Sequence, residues 1–223
     1  MHASGADLFR IWLGKSNIIK GTVNMKKIAI YLAGSIKKDH EKADDTFWTD
    51  EHMNLLRSSL KGYALSFLNP AFRTDDLSDQ HSVFGRDMTQ VFCSDVVFVD
   101  ARDRRGLGVG AEMMWAKIHS IPVVTWAPKN SHYNKEKTSI LGVAVEGFIH
   151  PFVLSLSDKI VGTLEEGAHW IHTVRSNPNH EIKGLEHIKR AMEYYKAHQL
   201  HHDGPMQELI NAHEELKQRV VFS

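Results

Sequence analysis

Cysteine is nearly absent from this chain: Cys93 is the only one among 223 residues. A single thiol excludes an intramolecular disulfide and leaves no cysteine set for a structural zinc site. Net charge is missing too, because 27 Lys and Arg are balanced by 27 Asp and Glu. No global basic field therefore exists to hold a nucleic-acid polymer or an anionic membrane. No apolar run reaches the ~18 residues of a membrane span. The stretch at 8–13 is short and interrupted by Arg10, unlike a secretory leader. Internal repeats and low-complexity tracts are also lacking. With 42% hydrophobic and 24% charged residues, the composition is that of an ordinary globular chain, expected to be soluble and cytoplasmic. The 15 histidines include His169-x-x-His172 and His201-His202, but no spacing matches a zinc pattern, so no metal is expected.

What is present is an alternation of short apolar runs and amphipathic stretches. Residues 28–33, 63–68, 95–100 and 121–126 read as strands. Residues 44–60, 81–93 and 111–119 read as helices between and after them. A fifth strand is expected at 152–156 and a helix at 158–175, with polar loops at 73–80 and 129–139. In the helix at 81–93, Val83, Phe84, Met88, Val91 and Phe92 are the expected inward positions. Strands alternating with helices predict an α/β fold, a doubly wound, flavodoxin/Rossmann-like parallel sheet of about five strands. Ser176-Asn177-Pro178-Asn179 punctuates its end. Two charged helical segments follow, giving a helical tail over 178–223 after a domain at 25–177. Residues 1–24 read as an extension, since Met25-Lys26-Lys27-Ile28 resembles a start running into a first strand.

The densest signal is Gly106-Leu107-Gly108-Val109-Gly110-Ala111-Glu112, which follows the apolar run ending in Asp100. Glycines permit sharp turns and close approach to a ligand. A helix N-terminus behind them favours negative charge. Gly106-x-Gly108-x-x-Ala111 formally matches a dinucleotide fingerprint, but it follows the third strand rather than the first. The next strand also ends in Thr125-Trp126-Ala127, with no acidic residue to hold a ribose diol. No cofactor is expected. Glu112 is the first candidate for chemistry, because open α/β sheets bind ligands at the carboxyl ends of their strands.

Five blocks occur in a fixed order: Ile30-Tyr31-Leu32-Ala33-Gly34-Ser35, Asn69-Pro70, Gly85-Arg86-Asp87, Ser94-Asp95-Val96-Val97 and Gly108-Val109-Gly110-Ala111-Glu112. In this order and spacing, residues 27–175 resemble the nucleoside 2-deoxyribosyltransferase superfamily, which includes the 2'-deoxynucleoside 5'-monophosphate N-glycosidases. The resemblance implies that Glu112 is a nucleophile attacking the anomeric carbon through an oxocarbenium-like transition state. It implies that Asp87 assists protonation of the leaving base and that Tyr31 orients Glu112. Gly34, Ser35, Asn69, Asp100, Gly108 and Gly110 would line the substrate site. Asp100 carries a structural alternative as a hydrogen-bonding strand terminus.

The implied reaction is cleavage of an N-glycosidic bond, with 2-deoxyribosyl transfer between bases as the leading form. The substrates would be a nucleoside or nucleotide and a free base acceptor. Hydrolysis of a deoxynucleoside 5'-monophosphate and non-catalytic nucleotide sensing are the alternatives. The chain also departs from the pattern: Gly106 stands where the transferases carry a base-reading aspartate and the hydrolases often a serine. Lys37, Arg104, Arg105 or Ser139 would then supply phosphate contacts. The resemblance further implies a homo-oligomer.

Overall fold

The computed structural model describes residues 25–36 and 47–222. The expected extension at 1–24, Lys37 and the start of the helix expected at 44–60 lie outside those residues. Five parallel strands form the central sheet: β1 (Lys26–Ala33), β2 (Tyr63–Leu68), β3 (Val96–Asp100), β4 (Val123–Trp126) and β7 (Lys159–Val161). Their order is β2-β1-β3-β4-β7. The chain steps outward from β1 to β2, then crosses back to place β3 on the other side of β1. This is the flavodoxin-like doubly wound order, whose switch point is the crevice between β1 and β3.

Helices cover both faces, which is why the central strands are nearly continuous apolar runs. On one face Ile30, Leu32 and Phe98 pack against α1 (Asp50–Ser59) and α5 (Leu164–Ser176). On the other, Tyr31, Ala33, Val97 and Val99 pack with residues of α2 (Gln80–Phe92) and α3 (Leu107–Ile118). The period of two along β1 thus sends Ile30 and Leu32 one way and Tyr31 and Ala33 the other. Helix α1 starts at a reciprocal cap: the Thr49 hydroxyl accepts from His52 N, and His52 Nδ1 accepts from Thr49 N, both at 3.3 Å. Gly167 of α5 lets that helix lie directly on the sheet, since a Cβ there would stand 2.3 Å from Phe98 Cζ.

Four expectations need correction. The polar stretch after β4 is no loop: β5 (Asn134–Ile140) and β6 (Val143–Ile149) form an antiparallel hairpin outside the sheet. Its first strand carries Lys135, Glu136 and Lys137 in place of the apolar run that marks a buried strand. Residues 152–156 are not a strand but lie in α4 (Pro151–Leu156). A short apolar run is ambiguous by periodicity, and Pro151 at the first helical position decides it. The fifth strand is β7, and α5 begins six residues later than expected from 158, where the Thr163 hydroxyl accepts from Glu166 N at 3.2 Å. In α2, Val91 is buried, but Phe84 and Phe92 are 63% and 57% exposed. They lie eight residues apart on one outward stripe.

The tail forms α6 (Leu185–His198), α7 (Gly204–Ala212) and α8 (Glu214–Phe222). It is anchored to the domain by a buried carboxylate. Asp158 accepts from Lys117 Nζ, from Val123 N at 2.6 Å and from Lys183 N at 2.5 Å. No described helix is long and apolar enough to cross a membrane.

Candidate functional site

The carboxyl ends of β1 and β3 bring the sequence blocks together. Tyr31 sits on β1 with its ring directed toward α3, and its hydroxyl donates to Glu112 Oε1 at 2.8 Å. Two separate elements, 81 residues apart in sequence, therefore meet in one buried contact. Glu112 lies in the second turn of α3 and is only 7% exposed. Its other oxygen, Oε2, is buried without a partner. A half-satisfied carboxylate in an apolar wall is costly for stability and retains a lone pair for a ligand.

The electrostatics follow from this placement. Burial lifts the Glu112 carboxyl to about 7, opposed by the Tyr31 hydrogen bond and reinforced by the charge of Asp87. The phenol of Tyr31 is pushed up by burial and by the neighbouring Glu112, so it remains a proton donor. Asp87, on α2, is also raised, chiefly by burial. Arg73 and Arg86 oppose that shift, their guanidiniums standing 3.5 and 3.3 Å from Asp87 Oδ1. The charge of Asp87 thus raises Glu112, while burial and the charge of Asp75 raise Asp87. Two carboxyl groups in such different surroundings support one ionised and one protonated member, as nucleophile–acid chemistry requires.

The loop at 73–80 is fastened to α2. Arg73 grips Asp75 with two bonds of 3.0 and 2.6 Å, and Arg86 donates to Phe72 O at 2.7 Å. Arg73 carried no sequence signal, because its neighbours at 74–79 are polar apart from Leu77. Asn69 ends β2 with its Oδ1 accepting from Ala71 N at 2.9 Å. Its Nδ2 is buried and unpartnered. The same residue lines a cleft of about 210 Å³ together with Ser35, Trp48 and Phe72.

Asp100 is fully buried and already engaged. Arg102 donates to it through Nε at 3.0 Å and Nη2 at 2.9 Å, while Arg105 Nη2 stands 3.0 Å from Oδ1. Arg105 also donates from Nη1 to Ser35 Oγ at 2.8 Å and from Nε to the Asp100 carbonyl. This single guanidinium joins the β1 loop to the end of β3. Arg105, one of the expected phosphate contacts, is thus engaged by Asp100 and Ser35, whereas Arg104 is exposed. Gly34 is the tight point of the same loop, since a Cβ would lie 3.2 Å from Trp48 Nε1. A Cβ on Gly108 would stand 3.9 Å from Glu112 Oε1, which places that glycine beside the carboxylate. Gly110 instead lines a separate apolar cavity between α3 and α4. Ser139 lies on β5 and is exposed. Among the described residues no three His, Cys, Asp or Glu side chains converge on a common point for a metal ion.

No family model matches the sequence, and no curated protein matches it. Among solved structures, a chain described as a 2-desoxiribosyltransferase from Leishmania mexicana is similar over 78% of this chain and 99% of that one, with 15% identity and a TM-score of 0.38.

Proposed function

We propose that this protein cleaves the N-glycosidic bond of a deoxynucleoside or nucleotide through a covalent glycosyl–Glu112 intermediate, transferring the 2-deoxyribosyl group between bases. The observation that carries the reading is the buried Glu112, held by Tyr31 at 2.8 Å with Oε2 free, at the switch point of the sheet. The ionised carboxylate attacks the anomeric carbon as the carbon–nitrogen bond breaks, and the electron pair of that bond leaves with the base. A proton from Asp87 on the departing ring nitrogen stabilises the leaving group. The Tyr31 hydroxyl fixes Oε1, so Oε2 is the attacking oxygen. A second base, attacking the same carbon from the vacated side and passing its ring proton back to the Asp87 carboxylate, releases Glu112 and completes transfer with retained configuration. No metal or cofactor enters any step.

Hydrolysis of a 2'-deoxynucleoside 5'-monophosphate is the second reading. It is favoured by the first turn of α3, which has no side-chain cap at Gly106, and by the nearby Ser35–Arg105 pair. Chromatography of purified protein with deoxynucleosides and deoxynucleotides, each with and without a second free base, separates the two. A new nucleoside formed only with the acceptor supports transfer. Free base released without an acceptor replaces it with hydrolysis. No product from any substrate overturns both and leaves nucleotide sensing.

A further inference from the structure

Two guanidiniums and two carboxylates meet where the loop after β2 lies on α2. Arg73 and Asp75 come from the loop, Arg86 and Asp87 from the second turn of the helix. Asp87 also lies within electrostatic reach of Glu112 on α3 and Tyr31 on β1. An acid with two arginines beside it would ordinarily be held ionised. A group that must hand a proton to a departing base cannot work in that state.

The arginines, however, are shared unequally. Arg73 gives its whole fork to Asp75, Nε to Oδ1 at 3.0 Å and Nη2 to Oδ2 at 2.6 Å. To Asp87 it presents only Nη1, which stands 3.5 Å from Oδ1, past the ~3.2 Å limit of a normal N–H···O bond. Arg86 is also drawn away. Its Nη2 donates to Phe72 O at 2.7 Å, its Nε stands 3.6 Å from Asp75 Oδ1, and its Nη1 reaches Asp87 Oδ1 at 3.3 Å. Guanidinium–carboxylate bonds normally close to about 2.7–2.9 Å. Asp75 therefore takes the strong contacts and Asp87 the weak ones.

The two carboxyls respond in opposite ways. The Arg73 bonds hold Asp75 below the usual carboxylate range. Asp87 is raised, because burial outweighs its two long contacts and the charge of Asp75 adds to it. Arg73 and Asp75 are two residues apart, so the loop builds this pair by itself. Its next residues fix it against α2: Asp76 accepts from Ser78 N at 2.8 Å, and Asp79 caps the helix by accepting from Ser82 N at 3.1 Å.

We infer that Asp75 is a positioning residue, which draws Arg73 and Arg86 off Asp87 and so leaves Asp87 able to carry the proton for the leaving base. The catalytic part of this role rests on the glycosyl-transfer reading; the hold on the arginines does not. The test is the titration of Asp87 in the full chain, read by NMR of isotope-labelled aspartate carboxyls and assigned by the signal lost in Asp87→Asn. Wild type is compared with Asp75→Asn and Arg73→Gln. Both variants break the Arg73–Asp75 pair, so damage to the loop alone shifts Asp87 in one direction in both. The inference requires opposite shifts. Asp75→Asn frees the guanidiniums for Asp87 and lowers its titration, whereas Arg73→Gln removes a positive charge and raises it. Asp75→Asn also slows turnover of ordinary deoxynucleosides at neutral pH on the order of 10-fold. It spares an N7-methylated purine deoxynucleoside, whose base leaves neutral without a proton. Shifts of the same sign, or none, overturn the inference whatever the activity. Opposite shifts in a protein that turns over no deoxynucleoside bear out the hold of Asp75 and overturn the glycosyl-transfer reading instead.

Discussion

Replacing Glu112 with glutamine interrogates the site through stability, with no substrate needed. Burial raises this carboxyl from 4.5 to about 7 in the folded protein, while the unfolded chain keeps the ordinary value. Between those two values the folded state holds a proton that the unfolded state has released. Stability contributed by this group is therefore full below the unfolded value and is lost as pH rises toward 7. The whole difference corresponds to about 3 kcal/mol, from 1.36 kcal/mol per pKa unit. About 2.5 kcal/mol of it falls between pH 5 and 8.5. Glutamine is neutral throughout and offers Tyr31 the same acceptor, so Glu112→Gln escapes the loss. The assay is thermal unfolding of both proteins across that pH range. The melting temperature of Glu112→Gln minus that of wild type grows by about 5–10 °C from pH 5 to 8.5. Titrating groups remote from the site enter both curves alike, so the difference reports Glu112 together with its coupling to Asp87. Parallel curves refute the account of a desolvated carboxyl leaning toward its neutral form.

Tyr31→Phe removes the one hydrogen bond that favours ionised Glu112. Turnover falls roughly 10- to 100-fold, and the acid limb of the pH–rate profile moves upward from about 7; an unmoved limb contradicts the orienting role. Asp87→Asn slows release of poor leaving bases by roughly 100-fold but spares substrates with an activated leaving group, so equal losses on both would remove Asp87 as the acid. Gly167→Ala drives a methyl into Phe98 and destabilises by about 1–3 kcal/mol, read as a lowered urea midpoint with activity per folded molecule retained.

The parts of the fold legible in the sequence are those buried on both sides. Strands β1, β3 and β4 are covered by helices on each face, so selection for burial leaves near-continuous apolar runs. The hairpin is the reverse case: Lys135 and Lys137 lie on the solvated strand β5, within the stretch 129–139 that reads as loop. Strand β7 has three residues, too few for any period to register. Helix α3 begins four residues before the expected 111, because Gly108 and Gly110 argue against a helix. Packing of Val109 and Met113 on the sheet overrides that propensity.

The candidate site was legible as a set of residues but not as an arrangement, and Asp100 shows why. At the end of a strand facing a crevice, a carboxylate invites assignment as a ligand group. Its two arginine partners are Arg102 and Arg105, from a segment that reads only as a solvated charge cluster. Chain reversal after β3 brings those guanidiniums back onto the carboxylate, and one of them reaches across to Ser35. No local pattern encodes that reversal. Glu112 differs, since its glycine-rich approach is local and its burial is not: the latter depends on β1 placing Tyr31 on the α3 face instead of the α1 face. A one-residue slip of β1 would turn Tyr31 to the opposite face and abolish the contact. The apolar residues flanking Tyr31, Ile30 and Leu32, which fill the other core, are therefore what fix the partner of Glu112. Sheet register, set by hydrophobic packing away from the site, determines which side chain holds Glu112.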